Sequence, residues 1–212
     1  ATIVQEMAFA CAVGAEYLYK LTDTDMTIDA ILPKMRVNVA VGQNYFMEMA
    51  KMRAYRVLWA NIAKAFGAKE ENAKMLIHAF NAQINMSLYD SYVNMLRTTT
   101  GSMSAILGGV HSFSVTPFDM VYEPTTEFAE RIARNQQLIL KEESHFDKVA
   151  DPAAGSYYIE NLTDSLVKAA WALFLQIQEE GGYLAALRNG TIQKMVKESA
   201  TKRLNNVATR RE

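Results

Sequence analysis

Hydrophobic and polar positions repeat with two different periods along the first two thirds of the chain. Runs with an apolar residue every three or four positions predict helices, and short β-branched or alternating runs predict strands. The predicted helices cover residues 2–20, 43–67, 90–107 and 124–144, and the predicted strands cover residues 35–42, 75–82 and 110–116. The predicted order is therefore helix, strand, helix, strand, helix, strand, helix.

Large apolar residues are expected to form the buried faces of these helices. The predicted stripes are Phe46, Met49, Ala50, Arg53, Val57, Leu58, Ile62 and Phe66 in the second helix, Tyr92, Met95, Leu96, Met103, Ile106 and Leu107 in the third, and Phe128, Ile132 and Ile139 in the fourth. Thr125 or Thr126 is expected to cap the fourth helix. Charged side chains of the second helix are interpreted as surface ion pairs or interface contacts: Glu48, Lys51, Arg53 and Arg56.

The alternation of helices and strands argues for parallel βα units. Three strands cannot close a barrel, so they fit either the last three strands of a (β/α)₈ barrel, whose whole length is about 250 residues, or a small open α/β sheet. From Asp151 the pattern changes: DPAAGSYYIENLT reads as a loop, followed by helices over residues 163–180, 183–188 and 192–204. The predicted division is an α/β domain over residues 1–150 and a helical extension over residues 151–212.

Composition narrows the classes of partner. The net charge is −1 and no basic stripe is present, which argues against nucleic acid. No apolar run approaches the roughly 20 residues that a membrane span needs. Cys11 is the only cysteine, which excludes an intrachain disulfide and a cysteine-cluster metal site and favours a reducing compartment, the cytoplasm. Because the chain starts directly in a helical pattern without an initiator Met, we expect a piece of a longer protein.

The histidines are the candidate catalytic groups. His78 lies in the second predicted strand, near the end at which barrel enzymes place their active sites. His111 lies in the third, where Asp119 could orient it as a general base. Each has a structural alternative as a hydrogen-bonded core or rim residue, and the residues alone leave both interpretations open. His145, at a helix end, suits the helix dipole.

Three stretches resemble the methylmalonyl-CoA mutase family. YFMEMAKMRAYRVLWA (45–60) resembles its F-x-E-x-A-K-x-R-A-x-R-x-L-W-A helix. EPTTEFAERIARNQQLILKEES (123–144) resembles its L-P-T-[DE]-F-[SA]-x-R-I-A-R-N-x-Q-L signature, and VADPAAGSYYIENLT (149–163) resembles its V-x-D-P-[WA]-[GA]-G-S-Y-Y-[VI]-E-x-L-T signature. The resemblance implies the C-terminal part of a substrate-binding (β/α)₈ barrel, followed by a helical linker that contacts another subunit.

The family's catalytic chains interconvert methylmalonyl-CoA and succinyl-CoA with adenosylcobalamin. Their Q-T-S-G-W motif aligns with FNAQI at 80–84, and their Q-S-L-H-T-N motif with HSFSVT at 111–116, so that the family's histidine falls on Ser114 and a glutamine falls on His111. Apolar residues at these motifs are expected to fill the barrel mouth: Phe80, Ile84, Phe113 and Val115. The remaining polar candidates for substrate contacts are Asn81, Gln83, Ser112 and Ser114.

This combination resembles the small subunit of the heterodimeric bacterial mutases, which keeps the fold and lacks a working site. It implies a scaffold chain with neither cofactor nor metal of its own, a catalytic large subunit as partner, and adenosylcobalamin in the holoenzyme; self-association of the chain stays open. One alternative is a competent acyl-CoA mutase chain with altered specificity that uses His111, Asn81 and Gln83 as new polar contacts. Another is an independent small α/β binding domain.

Overall fold

Every predicted helix and strand is present in the computed structural model, which describes residues 1–211. In chain order the elements are α1 (Ile3–Thr22), α2 (Ile28–Ile31), β1 (Arg36–Val41), α3 (Tyr45–Ala65), β2 (Leu76–Asn81), α4 (Val93–Leu107), β3 (Ser112–Ser114), α5 (Glu127–Leu138), α6 (Tyr157–Glu179), α7 (Tyr183–Arg188) and α8 (Thr191–Ala208). A π-helical turn, Ile139–Glu143, continues α5. The predicted α/β class with three strands is confirmed.

The three strands form one parallel sheet in the order β1-β2-β3. Asn38, His78 and Ser112 lie opposite one another across it, which fixes the register. Because side chains alternate along a strand, the sheet has two unlike faces. One face is buried or half-buried under helices and consists of Val37, Val39, Val41, Ile77, Ala79, Asn81 and Phe113. The other, the open face, is more exposed and largely polar: Arg36, Asn38, Ala40, Leu76, His78, Phe80, Ser112 and Ser114.

Several element boundaries differ from the prediction by a few residues, and the start of α6 differs most. The expected loop over residues 151–163 is wrong after Ser156, because α6 begins at Tyr157. The turn that contains Pro152 and the left-handed Gly155 (φ 78°) ends before Ser156, whose carbonyl already accepts the amide of Glu160. Strand β3 is also shorter than residues 110–116.

The described chain forms two compact units. One consists of Met35–Ala54 and Met75–Thr163 and contains the whole sheet. The other consists of Ala1–Lys34, Tyr55–Lys74 and the residues from Asp164 onward. The division at residues 150 and 151, with subunit contacts assigned to the second part, stays a prediction. Among the described residues, no helix is both long and apolar enough to cross a membrane.

Candidate site at the carboxyl edge of the sheet

The carboxyl ends of the three strands meet at one edge of the sheet, because the strands are parallel. In α/β barrels this edge and the loops that follow it carry the active site. Here those loops are residues 42–44 after β1, residues 82–92 after β2 and residues 115–126 after β3. We call this edge and these loops the candidate site.

A buried ion pair fixes the end of β1, where the sequence had suggested a surface pair. Lys51 Nζ lies 2.6 Å from Glu48 Oε2 and also donates to the carbonyl of Ala40. Glu48 Oε1 accepts the amide of Gly42 at 2.9 Å. Both charged side chains are almost fully buried, so the interpretation as exposed contacts is wrong for this pair. The two charges can be buried because each has an opposite charge beside it and makes further hydrogen bonds.

Asn81, a predicted substrate contact, lies on the helix-covered face at the end of β2. Its Nδ2 donates to the carbonyl of Thr98 in α4 at 3.2 Å, and its Oδ1 accepts the amide of Thr116 at 3.0 Å. The Thr116 hydroxyl donates to the Asn81 carbonyl. Gly101 makes room for this arrangement, because a Cβ at that position would lie 2.8 Å from Asn81 Nδ2. The side chain thus joins α4 to the segment after β3.

The polar contacts continue into a buried network between α4 and α5. The Thr98 hydroxyl donates to Gln136 Oε1 at 3.2 Å, and Gln136 Nε2 donates to the Ser102 hydroxyl at 3.1 Å. The Ser102 hydroxyl in turn donates to the Thr98 carbonyl at 2.6 Å. Since both halves of each bond are buried, breaking one leaves a polar group unsatisfied in the interior.

Asn94, which the sequence analysis missed, holds two of the edge loops together. Its Oδ1 accepts the amide of Ser87 at 2.9 Å, and its Nδ2 donates to the carbonyls of Ser87 at 2.9 Å and Phe118 at 3.1 Å. Ser87 belongs to the loop after β2 and Phe118 to the loop after β3. A signal was available, since Asn94, Thr98 and Ser102 repeat every four residues and form a polar stripe along α4.

His78 lies on the open face of the sheet between two serines. Its Nδ1 is 2.8 Å from the Ser112 hydroxyl, and its Nε2 is 3.4 Å from the Ser114 hydroxyl. It occupies the third position of β2 rather than the end of the strand, so the sequence-based placement near the strand end is wrong. The three predicted candidates therefore satisfy one another, in a geometry whose donor and acceptor roles depend on the imidazole tautomer.

His111 lies at the opposite edge from the candidate site. It immediately precedes β3, its amide donates to the carbonyl of Ile77 at 2.9 Å, and its Nδ1 accepts the Ile77 amide at 3.1 Å. An accepting Nδ1 places the proton of the neutral ring on Nε2. The expected location in the barrel mouth is therefore wrong: the ring continues the hydrogen-bond ladder at the amino end of the strands.

Asp119, suggested as an orienting group for His111, binds the N-cap residue of α5 instead. Its Oδ2 accepts both the amide of Thr126 at 2.8 Å and the Thr126 hydroxyl at 2.7 Å. Thr126 in turn accepts the amide of Ala129, which confirms the predicted capping role. Asp119 is fully buried in this position.

The remaining predicted contact, Gln83, lies in the loop after β2. Its Nε2 approaches Met120 Sδ at 3.4 Å, a weak acceptor. Its neighbour Ile84 is 70% exposed. The cavity between the first two edge loops has a volume of about 10 Å³, which is room for about one water. Its lining includes Gln43 and Arg97. No group of three or more His, Cys, Asp or Glu residues suited to a metal ion occurs within residues 1–211.

The fold and this edge define an α/β protein built from consecutive parallel βα units. The sequence profile described as methylmalonyl-CoA mutase matches residues 1–212. The chain is 51% identical to the methylmalonyl-CoA mutase small subunit of Porphyromonas gingivalis over all of its own length and 35% of that protein. It is 39% identical to the small subunit from Streptomyces virginiae, covering 34% of it, and 39% identical over 95% of its own length to the large subunit of P. gingivalis, covering 28%.

The chain belongs to the methylmalonyl-CoA mutase family. The expected resemblance is thereby confirmed, and with it the interpretation of the three βα units as part of the family's barrel. The chain spans about a third of the length of the curated relatives it matches.

Proposed function

We propose that this chain is part of a small, non-catalytic subunit of an adenosylcobalamin-dependent methylmalonyl-CoA mutase. In this role it supports a catalytic large subunit that interconverts methylmalonyl-CoA and succinyl-CoA. The names of the relatives support the mutase assignment, and the higher identity to the P. gingivalis small subunit than to the large subunit of the same organism supports the small-subunit assignment. Cytoplasm as the compartment stays a prediction.

One observation supports the non-catalytic part of the proposal: polar groups at the family's catalytic motifs already have hydrogen-bond partners within this chain. Ser114, which aligns with the family's histidine, lies beside His78. Asn81 is turned into the helix-covered face. Phe80 occupies the open face of the sheet, 38% exposed, at the position of a family glutamine. A substrate carboxylate placed there would lose water without gaining donors aimed at its charge.

Within residues 1–211, the three histidines do not fit the role of a cobalamin ligand. A histidine ligand needs a ring nitrogen directed into a cavity wide enough for the corrin. Both nitrogens of His78 face serine hydroxyls, Nδ1 of His111 accepts a strand amide, and His145 lies exposed in the turn after α5. This supports the proposal that the partner chain holds the cofactor.

The test is adenosylcobalamin-dependent turnover of methylmalonyl-CoA, with the full-length subunit assayed alone and then with its cognate large subunit. We expect activity only in the mixture, unchanged by His78→Ala. Turnover by this subunit alone, or loss of activity in His78→Ala while the heterodimer still assembles, would favour the alternative of a competent mutase chain with altered specificity. His111→Ala is assayed beside it, and the same two outcomes apply.

A further inference from the structure

Each compact unit carries one methionine whose side chain is largely open to solvent. Met120 is 48% exposed and lies in the loop after β3, and Met26 is 40% exposed and lies between α1 and α2. Other methionines are buried, among them Met49, Met52 and Met75. Oxidation of a thioether requires that the oxidant reach the sulfur. Met120 and Met26 are therefore the most accessible methionines within residues 1–211.

The sulfur of Met120 already has a hydrogen-bond donor beside it. Gln83 Nε2 donates to Met120 Sδ at 3.4 Å, and this contact joins the loop after β2 to the loop after β3. The sulfur of Met26 accepts no hydrogen bond within the part of the chain that the structure describes. Because a thioether is a weak acceptor, the contact between Gln83 and Met120 adds little to the loops in the reduced protein.

Both loops are fixed close to this contact. Asn94 Oδ1 accepts the amide of Ser87 at 2.9 Å, and Asn94 Nδ2 donates to the carbonyl of Phe118 at 3.1 Å. Ser87 follows Gln83 in one loop, and Phe118 precedes Met120 in the other. The donor and the sulfur are thus held near each other, so that little further ordering is needed if the acceptor becomes stronger.

Oxidation by hydrogen peroxide would strengthen this acceptor. A lone pair of Met120 Sδ takes one oxygen atom of the peroxide, the O–O bond breaks, and the hydroxide that leaves takes a proton to form water. The sulfur loses two electrons and the peroxide gains them. The sulfoxide oxygen is polar and accepts hydrogen bonds well, and its exposed position avoids the cost of burying a polar group.

We propose that Met120 is an oxidation site, and that its sulfoxide accepts the Gln83 side-chain amide and thereby strengthens the contact between the loops after β2 and β3. Hydrogen peroxide is the oxidant. The proposal assigns Gln83 a role in the oxidised protein only. It does not rest on the proposed function, because the loops and the contact belong to this chain.

The experiment treats the full-length protein with hydrogen peroxide and locates the added oxygen by peptide mass spectrometry. Hydrogen exchange is then measured for the segment 115–126 before and after oxidation. We expect oxidation at Met120 and Met26, and exchange in this segment about fivefold slower, the factor that one additional hydrogen bond of ordinary strength provides. Enzymatic reduction of the sulfoxide should restore the original rate.

Three variants separate the effect of Met120 from that of general oxidation. Met26→Leu is the matched control and should keep the slower exchange, whereas Met120→Leu should abolish it. Gln83→Ala should leave Met120 oxidised to the same extent but without slower exchange. The proposal is overturned if Met120 stays reduced while Met26 is oxidised, if exchange is unchanged or faster after oxidation, or if the slower exchange persists in Gln83→Ala.

Discussion

Helices α1 and α4 bury opposite kinds of surface. The buried face of α1 is apolar and consists of Met7, Ala8, Cys11, Ala12, Gly14, Ala15 and Leu18. The buried face of α4 consists of small and polar residues: Asn94, Thr98, Gly101, Ser102, Ser104 and Ala105. On α4 the large side chain of Leu96 points outward, 67% exposed. Helix α1 is therefore held by apolar burial, whereas α4 is held by hydrogen bonds that also fix the loops of the candidate site.

The first prediction tests whether polar contacts stabilise the position of α4. Asn94→Leu leaves the amide and carbonyl of Ser87 and the carbonyl of Phe118 without their partner. We expect the free energy of unfolding to fall by about 3 kcal/mol, from buried polar groups left unsatisfied. Urea unfolding followed by circular dichroism measures it.

Leu96→Ala on the same helix is the control. Because its side chain is mostly exposed, we expect a loss within about 0.5 kcal/mol. A larger loss for Leu96→Ala than for Asn94→Leu would show that α4 is held by its apolar residues after all.

The second prediction concerns the apolar packing of α1. A Cβ added at Gly14 in α1 would overlap the ring of Trp59 in α3. Gly14→Ala therefore forces the ring to move, and we expect a loss of about 2 kcal/mol from overpacking. Replacing Trp59 by Leu in the same chain removes the overlap, so the double variant should be more stable than the sum of the single losses predicts. Additive losses in thermal unfolding would contradict this account.

The same contrast explains which faces could be predicted from the sequence. In α1 the apolar period coincides with burial, and the strands and most helix positions followed from periodicity. In α4 and α5 the prediction chose large apolar residues, and Leu96, Phe128 and Ile139 prove to be exposed. The face of α5 that is buried consists of Ala129, Ala133 and Gln136. Periodicity of apolar residues predicts that these helices exist, but it cannot identify the buried face of a helix whose interior contacts are hydrogen bonds.

The candidate site was less predictable than the fold for a related reason. The sequence analysis identified four polar residues near strands: Asn81, Ser112, Ser114 and His78. A shift of one residue in strand register would move each of them to the other face of the sheet, so the sequence pattern did not determine their positions. His111 shows the effect, since it lies one position before β3 and hence at the amino edge. The partners of Asp119 and Asn94 in a neighbouring loop or helix cap lie at least seven residues away, which the period of a helix or strand does not reveal.

The third prediction concerns the polar contact that begins α5. Thr126→Ala removes the cap on Ala129 and one of the two hydrogen bonds to Asp119. We expect a loss of about 1 kcal/mol, as for other N-cap threonines. Thr125→Ala, one residue earlier and without these bonds, should unfold close to the wild type. Equal losses for the two variants would show that the cap contributes nothing specific.

The smallest expected effect is that of a partly exposed polar contact, the ion pair of Arg53 with Glu160. The Arg53 guanidinium, with help from the Gly155 amide, holds the pKa of Glu160 below its ordinary value of 4.5. The pair therefore contributes its full stability above pH 4.5, and that contribution is lost as the pH falls through the lower pKa of the folded state. Glu160→Gln should lose less stability than the wild type between about pH 5 and about pH 3. Because the Glu160 side chain is 45% exposed, the difference should shrink in about 1 M salt. Parallel stability curves for the two proteins at low salt would show that this ion pair, unlike the buried contacts of α4, adds nothing to folding.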